Sequence, residues 1–465
     1  MRLDAKDAAG VAVILCTLGV VAVHNGPFGH PDGHRAGVAD AGGSVTSAVG
    51  EPTTAFVDFN VVPMDRDVVL PHQVVVVRGG FIQQIGPVGT VEPPRGANII
   101  EGNGTGYLSP GLTDAHVHLR GRYDSWLPLF VANGVTTVFN LEGRPGHLAL
   151  KRRILEGTQE GPMVYTSGPY VGDPQVRTPA DARTTVARQA ARGYDFVKVH
   201  GDLSAEAYRM LTEAGRELDI PVVGHAPRNL PFASVVENRQ VALSHAEEII
   251  QTELRNLDPE ALTDVAKDMV EAGTWLIPTM AHFESVADQW GTPSAVDAAL
   301  QRETSAYLPS WLRDEWRSGE NPFLGLDAAD RIRLAEMSDF HGPLVRALHA
   351  AGVPMLAGTD TPIPTLAPGF SLRLEIEALR STGMSGYDAL ATATSNPGRF
   401  VRRYVDAGAR FGTLERGSRA DIIWLDGDPR LDAETLRRPV GVMVRGRWYD
   451  RSDLDKMLER VAASR

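Results

Sequence analysis

Histidine and aspartate side chains stand at the ends of several apolar runs, where strands would carry them to one edge of a sheet. His116 and His118 end the first run, His225 and His245 end two later runs, and Asp360 follows another. Residues i and i+2 of a strand face the same side, so His116 and His118 point together. Converging imidazoles and a carboxylate suit a borderline divalent metal such as zinc. The pattern therefore predicts a metal centre.

Lys198, in a further apolar run, does not suit a metal centre in its charged form. An ammonium has three donors and no acceptor, so it must lose its proton before it binds a cation. Reaction with carbon dioxide would make a carbamate, whose two anionic oxygens can bridge two metal ions. Asp195 is no partner, because a separation of three residues places the two side chains on opposite faces of a strand. His200 faces the same way as Lys198, and we assign it to substrate contact or to orientation of a ligand.

Strand-like runs alternate with helix-like runs through the middle of the chain. Helical patterns such as 180–192, 204–218 and 328–351 separate short β-branched runs. Eight such units over roughly 300 residues predict a (β/α)8 TIM-type barrel, whose active site lies at the carboxyl ends of the strands. The predicted strands are 112–118, 135–140, 163–167, 196–200, 221–225, 241–245, 274–278 and 354–358.

Both ends of the chain have a different residue pattern, with β-branched and aromatic runs bounded by glycine and proline. Residues 51–107 and 412–465 carry these runs, and neither part is long enough for a comfortable sheet domain alone. We predict that they combine into one small β-sandwich domain, with a C-terminal helix near 452–463, beside a barrel at 108–411. The predicted fold class is therefore α/β, a TIM-type barrel with a composite β-sandwich domain.

The segment 1–50 predicts export. Residues 8–23 form an uncharged run that is shorter than the roughly 18–20 residues of a membrane span and matches a signal-peptide core. A flexible linker rich in glycine, alanine and serine follows to residue 50. We expect a periplasmic, extracellular or membrane-anchored protein, with contact to a membrane only through this segment. The alternative is an N-terminal extension with no targeting role.

The composition is that of an ordinary globular protein, and it limits the partners. The net charge is −12 and the chain has no long basic block, so we expect no nucleic-acid partner. Cys16 is the single cysteine, which rules out an intrachain disulfide. A small-molecule substrate is the expected partner, and a homo-oligomer stays open. Six histidines have no supporting pattern and are interpreted as ordinary: His24, His30, His34, His72, His147 and His349.

A long connection at 281–326 follows the seventh predicted strand. It carries Trp290, Trp311, Trp316 and Phe323. A long aromatic connection on the active-site face is usually functional, so we interpret it as a lid or pocket wall over an apolar part of the substrate. The alternative is that these tryptophans pack the lid itself or an oligomer interface.

The same residues resemble a known family, the metal-dependent amidohydrolase superfamily. The resemblance rests on PGLTDAHVHL, YDFVKVHG, PVVGHAP, ALSHAEEI and MLAGTDTP, in that order along the chain. The flanking runs NGVTTV, SGYDALATATSNPGRF and GTLERGSRADIIWLDGDP agree, so the resemblance covers about residues 55–449. The details are most similar to the prolidase-like and imidazolonepropionase-related branch.

The resemblance implies a role for each strand-end residue. His116 and His118 would hold the more buried of two divalent ions, expected to be Zn²⁺, and carboxylated Lys198 would bridge both ions. Asp360 would bind the first ion and take the proton of the attacking water. The implied reaction is hydrolysis of an amide-type C–N bond, in a dipeptide or a cyclic amide, by a metal-activated hydroxide. The second ion would be held by His225 and His245.

Several alternatives stay open at this point. An esterase, lactonase or phosphotriesterase would use the same two ions. A mononuclear site of His116, His118, His225 and Asp360 is the alternative if Lys198 is not carboxylated. Mononuclear deaminases of this superfamily usually carry His-x-x-Glu after the fifth strand, whereas here the run is HAPR and Glu248 comes one strand too late. A scaffold without metals would need missing ligands, and none is missing. Candidate substrate contacts at the rim are His200, Arg228, His282 and Tyr123.

Overall fold

The structure is a computed structural model that describes residues 52–319, 321–324 and 328–464. The predicted signal or anchor segment at 1–50 lies outside the described residues. Within those three ranges, no helix combines the length and the apolar character that a membrane crossing needs.

The strands belong to one mixed sheet and two parallel sheets, and they follow the apolar runs of the sequence. In chain order they are β1 Thr53–Val61, β2 Leu70–Arg78, β3 Phe81–Pro87, β4 Asn98–Glu101, β5 Tyr107–Pro110, β6 Leu112–Val117, β7 Val135–Asn140, β8 Met163–Thr166, β9 Val197–Val199, β10 Val222–Gly224, β11 Ala242–Ser244, β12 Trp275–Ile277, β13 Ile422–Leu425, β14 Gly441–Val444 and β15 Arg447–Asp450.

Strands from both ends of the chain join in the mixed sheet. Its order is β15-β14-β13-β5-β1-β2-β3, with β4 paired to β1. β13 runs antiparallel to β5, with Ile422 opposite Pro110 and Leu425 opposite Tyr107. Phe56, Val75 and Met443 lie in one buried apolar cluster, so burial of the same face holds the two ends together. The second layer that a sandwich needs stays a prediction.

Two parallel sheets carry the strand-end residues, in the orders β6-β7-β8 and β12-β11-β10-β9. Single backbone pairs connect them: Ser167 pairs with Phe196, Leu276 with Met355, and Val117 with Thr361. The predicted strand at 354–358 is therefore in place between β12 and β6, but Met355 alone of its residues forms a ladder pair. The ladder ends because the Ala357 amide donates to the carbonyl of Thr392, which lies in a helix.

One continuous apolar cluster collects side chains from all eight predicted barrel strands. The helix after these strands contributes Phe400 to the same cluster. Pro52–Arg465 form one compact unit, and the domain boundaries at 107/108 and 411/412 stay predictions. The strand residues in the cluster are Ala115, Phe139, Tyr165, Phe196, Val223, Ala242, Trp275, Ile277 and Leu356.

The helices begin and end at local signals. Thr178 accepts a hydrogen bond from the Asp181 amide to cap one helix, which ends at Gly193 with a φ of 84°. The α-helices are Pro128–Ala132, Pro145–Leu155, Pro179–Arg192, Ala205–Glu217, Ala233–Glu237, Glu247–Thr252, Leu262–Ala272, Met280–Gln289, Pro293–Leu300, Ser310–Arg317, Ala328–Ala350, Leu372–Ser381, Gly386–Thr392, Ser395–Tyr404 and Arg451–Ala463. Short 3-10 helices are Tyr123–Ser125, Pro259–Ala261, Glu303–Tyr307 and Ala433–Arg437.

The connection at 281–326 is largely helical rather than an open loop. Trp290 and Trp316 are fully buried, and Trp290 lies beside Phe323 with 6.3 Å between ring centroids. These rings therefore pack the segment itself, which was the alternative, because amphipathic helices bury their aromatic faces against one another. Trp311 is only partly buried and lies against Gly121, in the loop after β6, so it remains a candidate for a pocket wall.

A buried ion pair joins the returning chain to the parallel strands. The Arg419 Nε donates to Asp421 Oδ2 at 2.5 Å, and a second guanidinium nitrogen donates to Thr137 Oγ1 of β7 at 2.6 Å. The side chains of Arg419 and Asp421 are 12% and 3% exposed. Removing one partner leaves the other charge buried and uncompensated.

Arg419→Met should therefore lower the free energy of unfolding by about 3–5 kcal/mol, measured by urea denaturation. The control is Arg416→Met, which changes an exposed arginine of the same loop and should have an effect within about 0.5 kcal/mol. Equal effects of the two substitutions would show that the pair contributes nothing to stability.

Candidate metal centre

His116, near the end of β6, and His118, directly after β6, both lie close to Asp360. Its Oδ1 lies 2.6 Å from His118 Nε2 and 3.2 Å from His116 Nε2. One ligand atom from each of His116, His245 and Asp360 lies within 4.8 Å of the others. The structure thus brings together the residues that the sequence predicted from three separate strand ends.

The surroundings of Asp360 suit a bound cation. Asp360 Oδ1 has no hydrogen-bond partner among the described residues, although two imidazole nitrogens lie close to it. Burial opposes ionisation of this carboxyl, but His116, His118 and His282 hold its pKa well below the ordinary value. An ionised carboxylate beside several imidazole nitrogens is a donor set that suits a divalent metal.

Lys198 lies at the centre of the site and is fully buried. Its Nζ is 3.2 Å from His116 Nε2. Burial lowers the pKa of Lys198 to about 7, while Asp360 and Glu248 act in the opposite direction. The neutral amine, which is the form that attacks the carbon of carbon dioxide, is therefore available near neutral pH. Lys198 pairs in register with Val223 of β10, which places it next to the strand that leads to His225.

Asp195, which we excluded as a partner of Lys198, binds a different lysine. The two Asp195 oxygens accept from Lys151 Nζ at 2.6 and 2.8 Å. Asp195 is thus engaged in a largely buried ion pair away from Lys198, and the predicted absence of an Asp195–Lys198 pair is confirmed.

His225 is oriented by a carboxylate that the sequence analysis set aside. Glu248 is fully buried, and its Oε1 lies 2.7 Å from His225 Nδ1. This contact leaves His225 Nε2 for a metal, and such outer partners fix the tautomer of ligating histidines. Burial and the charge of Lys198 lower the pKa of His225 well below the ordinary value, so the ring is neutral and able to bind a cation. Glu248 lies in the short helix Glu247–Thr252 after β11, and the fold brings this helix beside His225. The spacing between Glu248 and His245 in the sequence did not reveal that contact.

Arg228 is held by the same carboxylate and does not extend into an open pocket. Its Nε and a terminal nitrogen donate to the two Glu248 oxygens at 3.0 and 2.7 Å. The side chain is only 10% exposed. A bidentate pair of this kind fixes the guanidinium, so Arg228 orients Glu248 and through it His225. Its predicted pairing with a substrate carboxylate would require this bidentate contact to be shared or broken.

His245 is the remaining histidine of the cluster, and its backbone lies in the left-handed region. Its ring centroid is 4.7 Å from those of both His116 and His225. Its Nδ1 lies 2.8 Å from Thr279 Oγ1, which leaves Nε2 for a metal. The φ angles of His245 and Asp360 are 71° and 60°. Backbone in the left-handed region is strained for these residue types, and such strain concentrates at functional sites.

Asp114 joins the chain segment that carries His116 to the segment that leads to Asp360. Its Oδ1 accepts from the amides of His116 and Thr359 at 3.2 and 3.0 Å. Thr359 Oγ1 donates to Asp114 Oδ2 at 2.6 Å. Burial raises the pKa of Asp114 to about 7, although these hydrogen bonds lower it. The sequence analysis did not single out Asp114, which sits inside the run TDAHVH.

Tyr170 was also missed, and it lies between two candidate residues. Its ring stacks on His200 with 4.4 Å between centroids, and its hydroxyl is 3.0 Å from His118 Nδ1. His200 in turn lies 4.7 Å from the His225 ring. Tyr170 follows the third barrel strand, so its place at a strand end was the available signal. His200 therefore lies beside the site, and its role in substrate contact or ligand orientation stays a prediction.

His282 lies on the far side of Asp360, with Nδ1 3.0 Å from Asp360 Oδ2. Behind it are Glu247 and His341, both buried and both missed by the sequence analysis. Glu247 is 3.7–3.9 Å from nitrogens of His245, His282 and His341. Burial raises the pKa of Glu247 to about 7. His282 is only 6% exposed. Its carboxylate contacts in the described residues are with Asp360 and Glu247, so the ring is enclosed by the protein.

Tyr123 packs on His147 and not on the metal cluster. The two rings meet edge to face, with 4.8 Å between centroids. His147 Nδ1 lies 2.9 Å from Asn140 Nδ2, so His147 has the ordinary structural role expected of it. A substrate contact by Tyr123 stays a prediction.

Comparisons with known proteins agree with this geometry. The sequence model of the amidohydrolase family matches residues 107–449. A solved Xaa-Pro dipeptidase with bound methionine is 17% identical, with a TM-score of 0.66 over 86% of this chain and 100% of that one. Bottromycin amidohydrolase is 22% identical, with a TM-score of 0.69 over 89% of this chain and 91% of that one. A prolidase structure from Bifidobacterium longum, described as putative, is 21% identical, with a TM-score of 0.65 over 89% of this chain and 99% of that one. No curated protein sequence matches the chain.

Glu248→Gln should weaken zinc binding by about 10–100-fold, because His225 loses the charged partner that orients it. The dissociation constant is measured by competition with a chromophoric chelator. Glu253→Gln is the control, since Glu253 is exposed just after the same short helix. Zinc affinity equal to that of the unsubstituted protein in both variants would remove Glu248 from the site.

Proposed function

Because this chain belongs to the amidohydrolase family, we propose that it is a binuclear metal-dependent hydrolase that cleaves an amide-type C–N bond of a small substrate. The observation that carries the proposal is the convergence of His116, His118 and Asp360 beside a buried Lys198, with His225 and His245 completing the set. The strand connections and the apolar cluster shared by all eight strands support a closed (β/α)8 barrel as the scaffold.

The residues fit two divalent ions, which we take to be zinc. His116 and His118 would hold one ion with Asp360, and His225 and His245 would hold the other. Lys198, once carboxylated, would reach both, since it lies beside His116 and next to β10. Two such ions, when bound, supply a Lewis acid for the substrate carbonyl and hydroxide near neutral pH.

The proton is handled by Asp360. Its carboxylate is ionised, and its Oδ2 lies 3.0 Å from His282 Nδ1. We propose that Asp360 accepts the proton of the attacking water and passes it to the leaving nitrogen, which is general acid–base catalysis. His282 Nδ1 lies beside the second carboxylate oxygen, and we propose that this contact keeps Oδ1 directed toward His116 and His118. In this assignment His282 positions the base, whereas the sequence alone had assigned it to substrate contact.

Amide cleavage is favoured over the alternatives by two observations. The similar solved proteins include a Xaa-Pro dipeptidase and an amidohydrolase, both named for amide bonds. A mononuclear deaminase would leave the buried Lys198 without a role. Ester or lactone hydrolysis uses the same ions and remains the second candidate, which substrate tests decide.

Substrate choice depends on the helical segment at 281–326 and on Tyr170. Glu315 of that segment lies 2.8 Å from Arg120, and Arg120 also donates to the Pro362 carbonyl, two residues after Asp360. This contact fastens the segment over the strand ends. We propose that Trp311 and Tyr170 line the apolar part of the substrate pocket.

Lys198→Ala and Lys198→Arg should each reduce bound zinc from two ions per chain and lower activity by at least about 100-fold. Neither side chain can become a carbamate, and a lost metal ion removes several kcal/mol of transition-state stabilisation. Metal is counted by elemental analysis. Activity is measured on a panel of Xaa-Pro and other dipeptides, cyclic imides, lactones and aryl esters.

The control for these variants is Lys151→Arg, which keeps the charge of the lysine that pairs with Asp195. It should retain both ions and full activity. A Lys198→Arg protein with unchanged zinc and turnover would refute the binuclear assignment. Turnover of lactones or esters alone by the unsubstituted protein would instead favour the second candidate.

Asp360→Asn tests the proton acceptor separately. The substitution keeps the size of the side chain but removes the base, so kcat should fall by about 10²–10⁴-fold while part of the zinc remains bound. Steady-state kinetics and metal analysis of the same preparation are compared. An unchanged kcat would mean that another group moves the proton.

A further inference from the structure

A cavity of about 790 Å³ lies away from the strand-end histidines. Its wall includes Val353, Pro354 and Met355, at the start of the segment that ends at Asp360. Five residues of extended chain span roughly 16 Å, so the cavity and the metal centre occupy opposite ends of the same strand. The volume is in the usual range for small-molecule sites.

Four arginines line this cavity: Arg399, Arg402, Arg410 and Arg416. In the described part of the chain, no carboxylate lies within ion-pair distance of any of them. The lining also holds three carboxylates, and each has another contact: Asp65 pairs with Arg66, Asp388 accepts from Ser385, and Glu415 accepts from Thr413. Arg399 donates to Asn396 Oδ1 at 2.6 Å. Arg402 and Arg416 are exposed, and they give this side of the cavity its cationic character.

A helix N-terminus faces the same space. Ser395 and Asn396, in the first turn of the ten-residue helix Ser395–Tyr404, belong to the lining. The first amides of a helix have no carbonyl partner within it, and they carry partial positive charge. Arginines and helix N-termini are the groups that proteins use to bind phosphate.

The rest of the wall carries apolar side chains and two aromatic rings, Tyr387 and Phe411. Tyr387 is half-buried, and its hydroxyl is 3.4 Å from the Met64 carbonyl oxygen, so the ring is held in place. Met64, Met355 and Val353 lie in the same lining. A flat ring system can stack on a tyrosine while its charged group meets the arginines. The cavity thus offers a cationic wall and an apolar wall.

We propose that this cavity binds a phosphorylated small molecule that carries a flat ring, of the nucleoside diphosphate class. Arg402 and Arg416 contact the phosphate groups, and Tyr387 contacts the ring. The site is separate from the metal centre, and the proposal does not depend on the hydrolytic activity.

Calorimetric titration of the full-length protein with ADP tests the proposal, with pyrophosphate and citrate titrated in parallel. ADP should bind with a dissociation constant below about 1 mM at low salt, more tightly than pyrophosphate, which lacks the ring, and citrate, which lacks phosphate. The variant Arg402→Ala/Arg416→Ala should weaken ADP binding at least tenfold, because it removes the charged hydrogen bonds to the phosphate groups. The control is Arg403→Ala, an exposed neighbour on the same helix that is outside the lining.

The variants also separate this site from the zinc ions, which bind phosphate themselves. ADP bound at the metal centre would keep its affinity in Arg402→Ala/Arg416→Ala and lose it in Lys198→Ala, and that result would overturn the proposal. So would the absence of ADP binding, or citrate that binds more tightly than ADP. Each single substitution, Arg402→Ala and Arg416→Ala, is made as well, in case the double variant does not fold. Since both residues are exposed, neither change removes core packing.

Discussion

The centre of this protein depends on one constraint: many of its ionisable side chains are buried away from water. Lys198, Asp114, Glu248 and His116 are fully buried, and an unpaired charge in such a place costs several kcal/mol. The chain meets the cost in two ways. Some groups are neutral at physiological pH: burial lowers the pKa of His116, which keeps its ring uncharged. Other groups have a partner of opposite charge, and Arg228 is the partner of Glu248. The atoms left without partners, such as Asp360 Oδ1, point to the place where a cation would balance the charge.

A second layer of polar residues determines where the ligand atoms point. Glu248 orients His225, Thr279 orients His245, and Asp114 ties the His116 segment to the segment before Asp360. Each contact engages one side of a ligand residue and leaves the other side for the metal. Left-handed backbone at His245 and Asp360 adds local strain, which the surrounding hydrogen bonds and core packing compensate. The site is therefore rigid before a substrate arrives.

Elements outside the metal site help to hold its strands and loops in place. Arg419 and Asp421 join the returning chain to β7, and Arg120 joins Glu315 of the helical segment to the loop after Asp360. Such contacts connect elements that are distant in sequence, so the rim loops cannot move independently of the strands. The fully buried Trp290 and Trp316 give that segment a core of its own.

The sequence by itself determined which residues end the parallel strands and which way they face, because strand alternation is a local property of the chain. It thereby identified His116, His118, Lys198, His225, His245 and Asp360 as one set. Only the tertiary structure decided the partners of these residues. Glu248 meets His225 across 23 residues, and Asp114 meets Thr359 across 245, and no local periodicity records such contacts. The same reason explains why Arg228 and His282 were first assigned to the substrate: their partners come from other elements, which pack against them only in the folded chain.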